Sequence, residues 1–167
     1  MCYNSVMSDR HSVIPRTMCF IFNDNDVLLM KGSDKKEWAG KYDPVGGHIE
    51  AQEDVLDSAL REIQEETGLI PDNASVRGII HVSNFFHKNI MLFVITATTD
   101  TRKVVHGEEG TLEWIPIEQV HEINTFDDVK PIIDAVVALE SHQLITGRIV
   151  FDDDNIPEVI DLNVREA

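Results

Sequence analysis

The feature that most constrains this chain is the segment GHIEAQEDVLDSALREIQEETGL at residues 47–69. Across residues 53–67 the apolar Leu56, Ala59, Leu60 and Ile63 recur at helical spacing, and Gly68 stands where a helix is capped. At about 100° per residue, Glu62, Glu65 and Glu66 fall within an arc of about 100°, beside a stripe of Leu56, Leu60 and Ile63. One face is expected to pack while another carries three carboxylates. Like charges at these spacings weaken an isolated helix by a few tenths of a kcal/mol per pair unless a cation neutralises them. Oxygen ligands select Mg²⁺, Mn²⁺ or Ca²⁺ over metals that prefer sulfur. A solvated acidic face is the ordinary reading of three glutamates on one helix, and spacing alone does not separate the two.

The rest of the chain reads as mixed α and β. Residues 1–13 are polar and aperiodic and predict a flexible N-terminal tail, leaving residues 14–167 as a single domain. Apolar runs at 16–22 and 27–31 flank the turn-rich Asn23-Asp24-Asn25-Asp26, and 32–44 reads as a polar loop holding Trp38 and Tyr42. Strands are expected at 76–82, 89–97 and 111–117, and helices at 117–123 and 127–139. A last pair of strands, 145–151 and 159–164, flanks Asp152-Asp153-Asp154-Asn155, with Ile160, Leu162 and Val164 on one face.

Charge narrows the partners. Lys and Arg number 14 against 30 Asp and Glu, a formal net charge of −16, so duplex nucleic acid is an unsuitable partner. A small anionic substrate stays compatible, because a cation held by clustered carboxylates reverses the local field. Cys2 and Cys19 make no disulfide framework, the seven histidines lack ligand spacing, and no apolar run approaches the roughly 20 residues that span a bilayer. With no signal-peptide pattern, the expectation is a soluble, cytoplasmic protein without a membrane partner; the oligomeric state is left open, a homodimer included.

Residues 47–69 read as Gly, five residues, Glu, seven residues, Arg-Glu, an aliphatic residue, any residue, Glu-Glu, any residue, Gly, an aliphatic residue. This resembles the Nudix box at every specified position. Seven fixed residues at about 6% usage give a chance match on the order of 10⁻⁹ per start, raised about a hundredfold in so acidic a chain. The resemblance implies an α/β/α sandwich with a mixed β-sheet and Mg²⁺-dependent hydrolysis of a diphosphate bond, with Mn²⁺ as a possible substitute. It implies that Gly46 and Gly47 admit phosphates and metal close to the backbone, the Gly46 carbonyl serving as a ligand beside Glu62, Glu65 and Glu66. Arg61 would orient neighbouring carboxylates, Glu53 among them, although a surface pair with Asp57 is its bland alternative. Glu66, Glu108 and Glu109 are the candidate general bases.

Across residues 16–166 a weaker resemblance points to the MutT-like, 8-oxo-dGTP diphosphatase-like branch. It implies that Asp43, after Trp38, and the acidic pair Asp127 and Asp128, after Phe126, meet a purine base. Phe126 stands where that branch has proline, and Thr125 at its aromatic position. Asp127 and Asp128 equally suit a helix cap, Trp38 and Phe126 equally suit packing, and Lys31 meets either a phosphate or solvent. The alternatives are hydrolysis of ADP-ribose or another nucleoside diphosphate derivative, and a non-catalytic nucleotide-binding regulatory module, for which broken Arg-Glu or Glu-Glu positions are expected. An isoprenyl diphosphate isomerase is disfavoured by the lack of a cysteine near the box.

Overall fold

The first strand, β1 (Ile14–Asn23), is apolar on both faces. It sends Phe20, flanked by Met18 and Phe22, to one side and Cys19 and Ile21 to the other, and Cys19, Phe20 and Ile21 are fully buried. Such a run belongs between two layers. A computed structural model describes residues 11–107 and 109–167, so residues 1–10 of the expected tail and the candidate base Glu108 lie outside the described residues.

The chain continues through β2 (Asp26–Gly32), β3 (Tyr42–Asp43), α1 (Val55–Thr67), β4 (Asn73–Phe85), β5 (Lys88–Thr98) and β6 (Gly110–Pro116). A 3₁₀ turn (Ile117–Glu122), α2 (Val129–Ala138), β7 (Gln143–Phe151) and β8 (Pro157–Glu166) complete it. The strands form one sheet in the order β3-β2-β1-β5-β4-β7-β8, with β6 paired to β2. The β1–β5 and β4–β7 pairs are parallel and the others antiparallel, so the sheet is mixed as expected.

The two helices cover opposite faces. α1 joins the side of Cys19, Ile21, Leu28 and Ile95, while Val129, Ile132, Ile133 and Val136 of α2 join Phe20, Leu29, Ile80 and Ile145. Asp54 caps α1 by accepting from the amides of Leu56 and Asp57, and Gly68 ends it with φ at 72°, donating to the Gln64 carbonyl. The packed arc departs from the expected stripe. Ser58, Ala59, Ile63 and Thr67 are buried, whereas Leu56 and Leu60 are 36% and 38% exposed. Small residues seat the helix closely against the sheet, and the two leucines are left at the rim.

Three local expectations change. The loop at 32–44 contains β3, because Tyr42 and Asp43 pair with Lys31 and Met30 of β2. Residues 117–123 form a 3₁₀ turn rather than an α-helix; the apolar Ile117 and Val120 sit at i and i+3, which eclipse in that geometry. Of Ile160, Leu162 and Val164, only Leu162 packs on the core, since β8 is the edge strand of the sheet; Ile160 and Val164 are 36% and 50% exposed.

Candidate active site

The loop after β3 brings backbone and carboxylates together. It lies along β1 as an irregular strand, with the Thr17 amide donating to the Gly47 carbonyl at 2.9 Å and the Cys19 amide to Val45 at 2.8 Å. Gly46 has φ at 145°, and a Cβ there would collide with the Thr17 carbonyl, so glycine is required. A Cβ on Gly47 would fall on the Glu62 carboxylate. The Gly46 amide donates to Glu66 Oε2 at 3.1 Å. The two glycines therefore let α1 press its acidic face against bare backbone.

Arg61 arranges that acidic face. Its Nη1 donates to Glu62 Oε1 at 2.9 Å and Glu65 Oε2 at 3.2 Å, its Nη2 reaches the His48 carbonyl at 3.1 Å, and both ends of the guanidinium engage Glu53. Asp57 is not among its partners, so the bland alternative is displaced. Hydrogen bonding from Arg61 holds the Glu53 carboxyl down at about 2. Glu66 goes the other way: burial pushes it up to about 7, with Glu62 and Glu109 adding to the rise and the Gly46 amide and Arg16 opposing it.

The Gly46 carbonyl, Glu62, Glu65 and Glu66 offer oxygen donors without sulfur or imidazole, a set that fits a hard divalent cation. The Glu62 and Glu65 carboxylates are turned to Arg61 here, and among the described residues no three acidic, thiol or imidazole side chains converge on a common point. Glu109 lies across the same cleft, where Lys36 meets its carboxylate at 3.3 Å and the Ser33 amide holds its carbonyl at 3.1 Å.

Beyond Gly46 the cleft, about 340 Å³ and so within the range of roughly 300–1,000 Å³ of small-molecule sites, leads into a smaller inner cavity of about 70 Å³. Met18, Val82, Leu92, Phe85 and Phe126 wall it, and Asp43, Asp128 and Arg16 are its charged groups. Burial raises Asp43 well above the usual carboxylate range, the nearby Asp128 adding to the rise and Arg16 opposing it. Asp128 is pushed up to about 6, first by burial and then by Asp127, with Lys41 opposing.

The structure separates the acidic pair after Phe126. Asp128 is 8% exposed and faces the cavity, while Asp127 is exposed on an outer groove. Asp128 occupies the cap position of α2, but its side chain makes no capping bond, so capping does not explain it. Lys31 does not join the cleft either. Alternation along β2 gives the cleft Met30, and Lys31 is exposed with its ammonium 5.4 Å from the Tyr42 ring centre.

Residues 13–136 match the model of the NUDIX domain. The chain belongs to the Nudix family. Over 112 residues it is 30% identical to an uncharacterized Nudix hydrolase, YvcI, of Bacillus subtilis, an overlap covering 64% of this chain and 68% of that protein. A 59-residue stretch is 41% identical to an ADP-ribose pyrophosphatase of Methanocaldococcus jannaschii, covering 35% of this chain and 34% of that protein. In structure the chain is similar to the mutator MutT protein of Bacillus halodurans, with a TM-score of 0.79 and 26% identity over 90% of this chain and 98% of that one.

Within this Nudix fold, four cleft residues escaped the sequence reading: Arg16, Lys36, Phe85 and Phe86. Arg16 left a signal, since alternation places it on the face of Met18 and Phe20, where a charge has no reason to be unless it meets one. The Phe85-Phe86 pair lies in the interval between the strands expected at 76–82 and 89–97, to which no structure is assigned. Lys36 left none in a loop already rich in lysine.

Proposed function

We propose that this Nudix hydrolase cleaves a diphosphate bond in a purine nucleoside triphosphate, oxidised purines included, giving a nucleoside monophosphate and pyrophosphate. One observation carries the reading: two carboxyls, the half-buried Asp43 and the buried Asp128, share an apolar, aromatic-walled cavity that opens onto Gly46 and Glu66. Both carboxyls offer acceptors to the edge of a purine, and burial, which raises each, lets either also donate wherever it holds its proton. Phe85 and Phe126 offer the flat apolar surface for the ring.

In the reaction, the oxygen of water bonds to phosphorus, the phosphorus–oxygen bond to the bridging oxygen breaks, and the water proton passes to a carboxylate. Glu66 and Glu109, which line one cleft, are the two candidates to accept it. Gly46, Glu62, Glu65 and Glu66 would hold Mg²⁺, or Mn²⁺ in its place. When bound, such a cation lowers the pKa of water and stabilises charge on phosphate oxygens. Arg61 and Glu53 hold the carboxylates in place, and Arg16 and Lys36 bring positive charge to the polyphosphate.

A second reading, hydrolysis of ADP-ribose, is favoured by the 41% identity to a pyrophosphatase of that substrate. A non-catalytic regulatory role fits less well with a box intact at every charged position. The experiment is a panel of 8-oxo-dGTP, dGTP, dCTP and ADP-ribose with Mg²⁺, the products identified. Higher kcat/KM for the purine triphosphates is expected. A preference for ADP-ribose would move the assignment to the second reading, and indifference between dGTP and dCTP would remove the role given to Asp43 and Asp128.

A further inference from the structure

The tip of the β4–β5 hairpin holds an unusual backbone. Asn84, Phe86 and His87 have φ at 62°, 47° and 60°, and a bulky residue such as Phe86 rarely adopts that region unless its surroundings impose it. Here the imposing element is the turn between β7 and β8. Asn155 Oδ1 accepts from the Phe86 amide at 2.8 Å, and the Asn84 side-chain amide donates to the Phe151 carbonyl at 3.1 Å and to Asp153 Oδ1 at 3.3 Å. The turn is itself organised, since Asp152 Oδ1 accepts from the amides of Asp154 and Ile156. Phe85 stands between Phe86 and Phe151, with ring centres 4.8 and 5.0 Å apart.

The two aromatic residues of this tip are the ones that face the cleft. Phe85 walls the inner cavity, and Phe86, 52% exposed, borders its mouth. The family match ends at residue 136, so the supporting turn lies outside it. We infer that the β7–β8 turn is a specificity element, in which Asn155 is a positioning residue that fixes Phe86 against the nucleobase. This rests on the reading above that the cavity takes a base. Hydrolysis itself is served by groups on the other side of Gly46, so the effect belongs in KM and base preference.

Asn155 has φ at 65°, so Asn155→Gly keeps the backbone conformation while removing the acceptor, and Asn155→Asp keeps an acceptor for the Phe86 amide. In the full chain, kcat and KM are measured for dGTP, 8-oxo-dGTP and dCTP, with a melting curve for each variant. Asn155→Gly is expected to raise KM for the purine substrates roughly fivefold to tenfold, the weight of one aromatic contact, with kcat within about twofold. Asn155→Asp should restore KM, and Asn155→Gly should add nothing to Phe86→Ala. Unchanged KM in Asn155→Gly, a fall confined to melting temperature, or effects that multiply with Phe86→Ala would overturn the inference. Wild-type indifference to the base would instead strike the proposed function, so the two failures are distinct.

Discussion

Arg61 and Glu53 are joined at two points, Nε to Oε1 at 2.7 Å and Nη2 to Oε2 at 3.0 Å. The planar guanidinium does this while its Nη1 reaches Glu62 and Glu65, a division that an ammonium cannot copy. Because Glu53 is held low, at about 2, the pair is intact above the ordinary carboxylate range and is lost only as pH falls towards that value. Arg61→Lys is expected to lower turnover roughly 10- to 100-fold and to raise the Mg²⁺ concentration needed for half-maximal rate. Wild-type kinetics in that variant would remove the orienting role.

The two candidate bases separate by substitution. Glu66→Gln should lower kcat by at least about 10²-fold, whichever residue takes the proton, because it also removes a charged oxygen from the proposed cation site. Glu109→Gln should match that loss only if Glu109 is the base. A loss below about tenfold in Glu109→Gln, read from kcat at saturating Mg²⁺, would leave Glu66 with the role.

Asp128 gives a prediction whose sign depends on pH. Its folded-state value of about 6 exceeds that of an exposed aspartate, so the native chain keeps a proton that the unfolded chain has released. Stability therefore falls as pH rises from about 4 to about 6, and the deficit persists above that, on the order of 3 kcal/mol for this group. Asp128→Asn should raise the melting temperature at pH 7.5 and change it little at pH 4, both pH values being about those of ordinary buffers. An equal change at both would show that charge is not the cause.

Mg²⁺ should raise the melting temperature, since folding gathers Glu62, Glu65 and Glu66 that an ion bound only to the native state would neutralise. At about 100 times its Kd the gain is about 2.7 kcal/mol. Glu62→Gln with Glu66→Gln should abolish the dependence, and a chelator should abolish hydrolysis. A double variant that still responds to Mg²⁺ would place the ion elsewhere.

The half of the candidate site proposed to hydrolyse was legible because its requirements are local. Glu53, Arg61, Glu62, Glu65 and Glu66 sit on or beside one helix, whose spacing is written in 23 consecutive residues. The half proposed to recognise the base is assembled from β1, β3, the end of β4 and the turn before α2, so no window of sequence contains it. Asp127 and Asp128 show the difficulty most plainly: adjacent and chemically alike, they part company because the turn buries one and exposes the other. Lys31 and Lys36 differ likewise, the first turned away by strand alternation and the second carried into the cleft by its loop. Leu56 and Leu60 look like core by spacing, but close seating of Ala59 and Ile63 leaves them at the edge.

The two faces of β1 also bear on ancestry. The box helix rests on the Cys19 and Ile21 side, and the cavity opens on the Met18 side, so the groups proposed to cut and those proposed to choose share a strand but no core. A duplicated gene could therefore exchange cavity residues one at a time while each intermediate still cleaved some diphosphate. A lineage built this way diversifies its diet without ever losing its teeth.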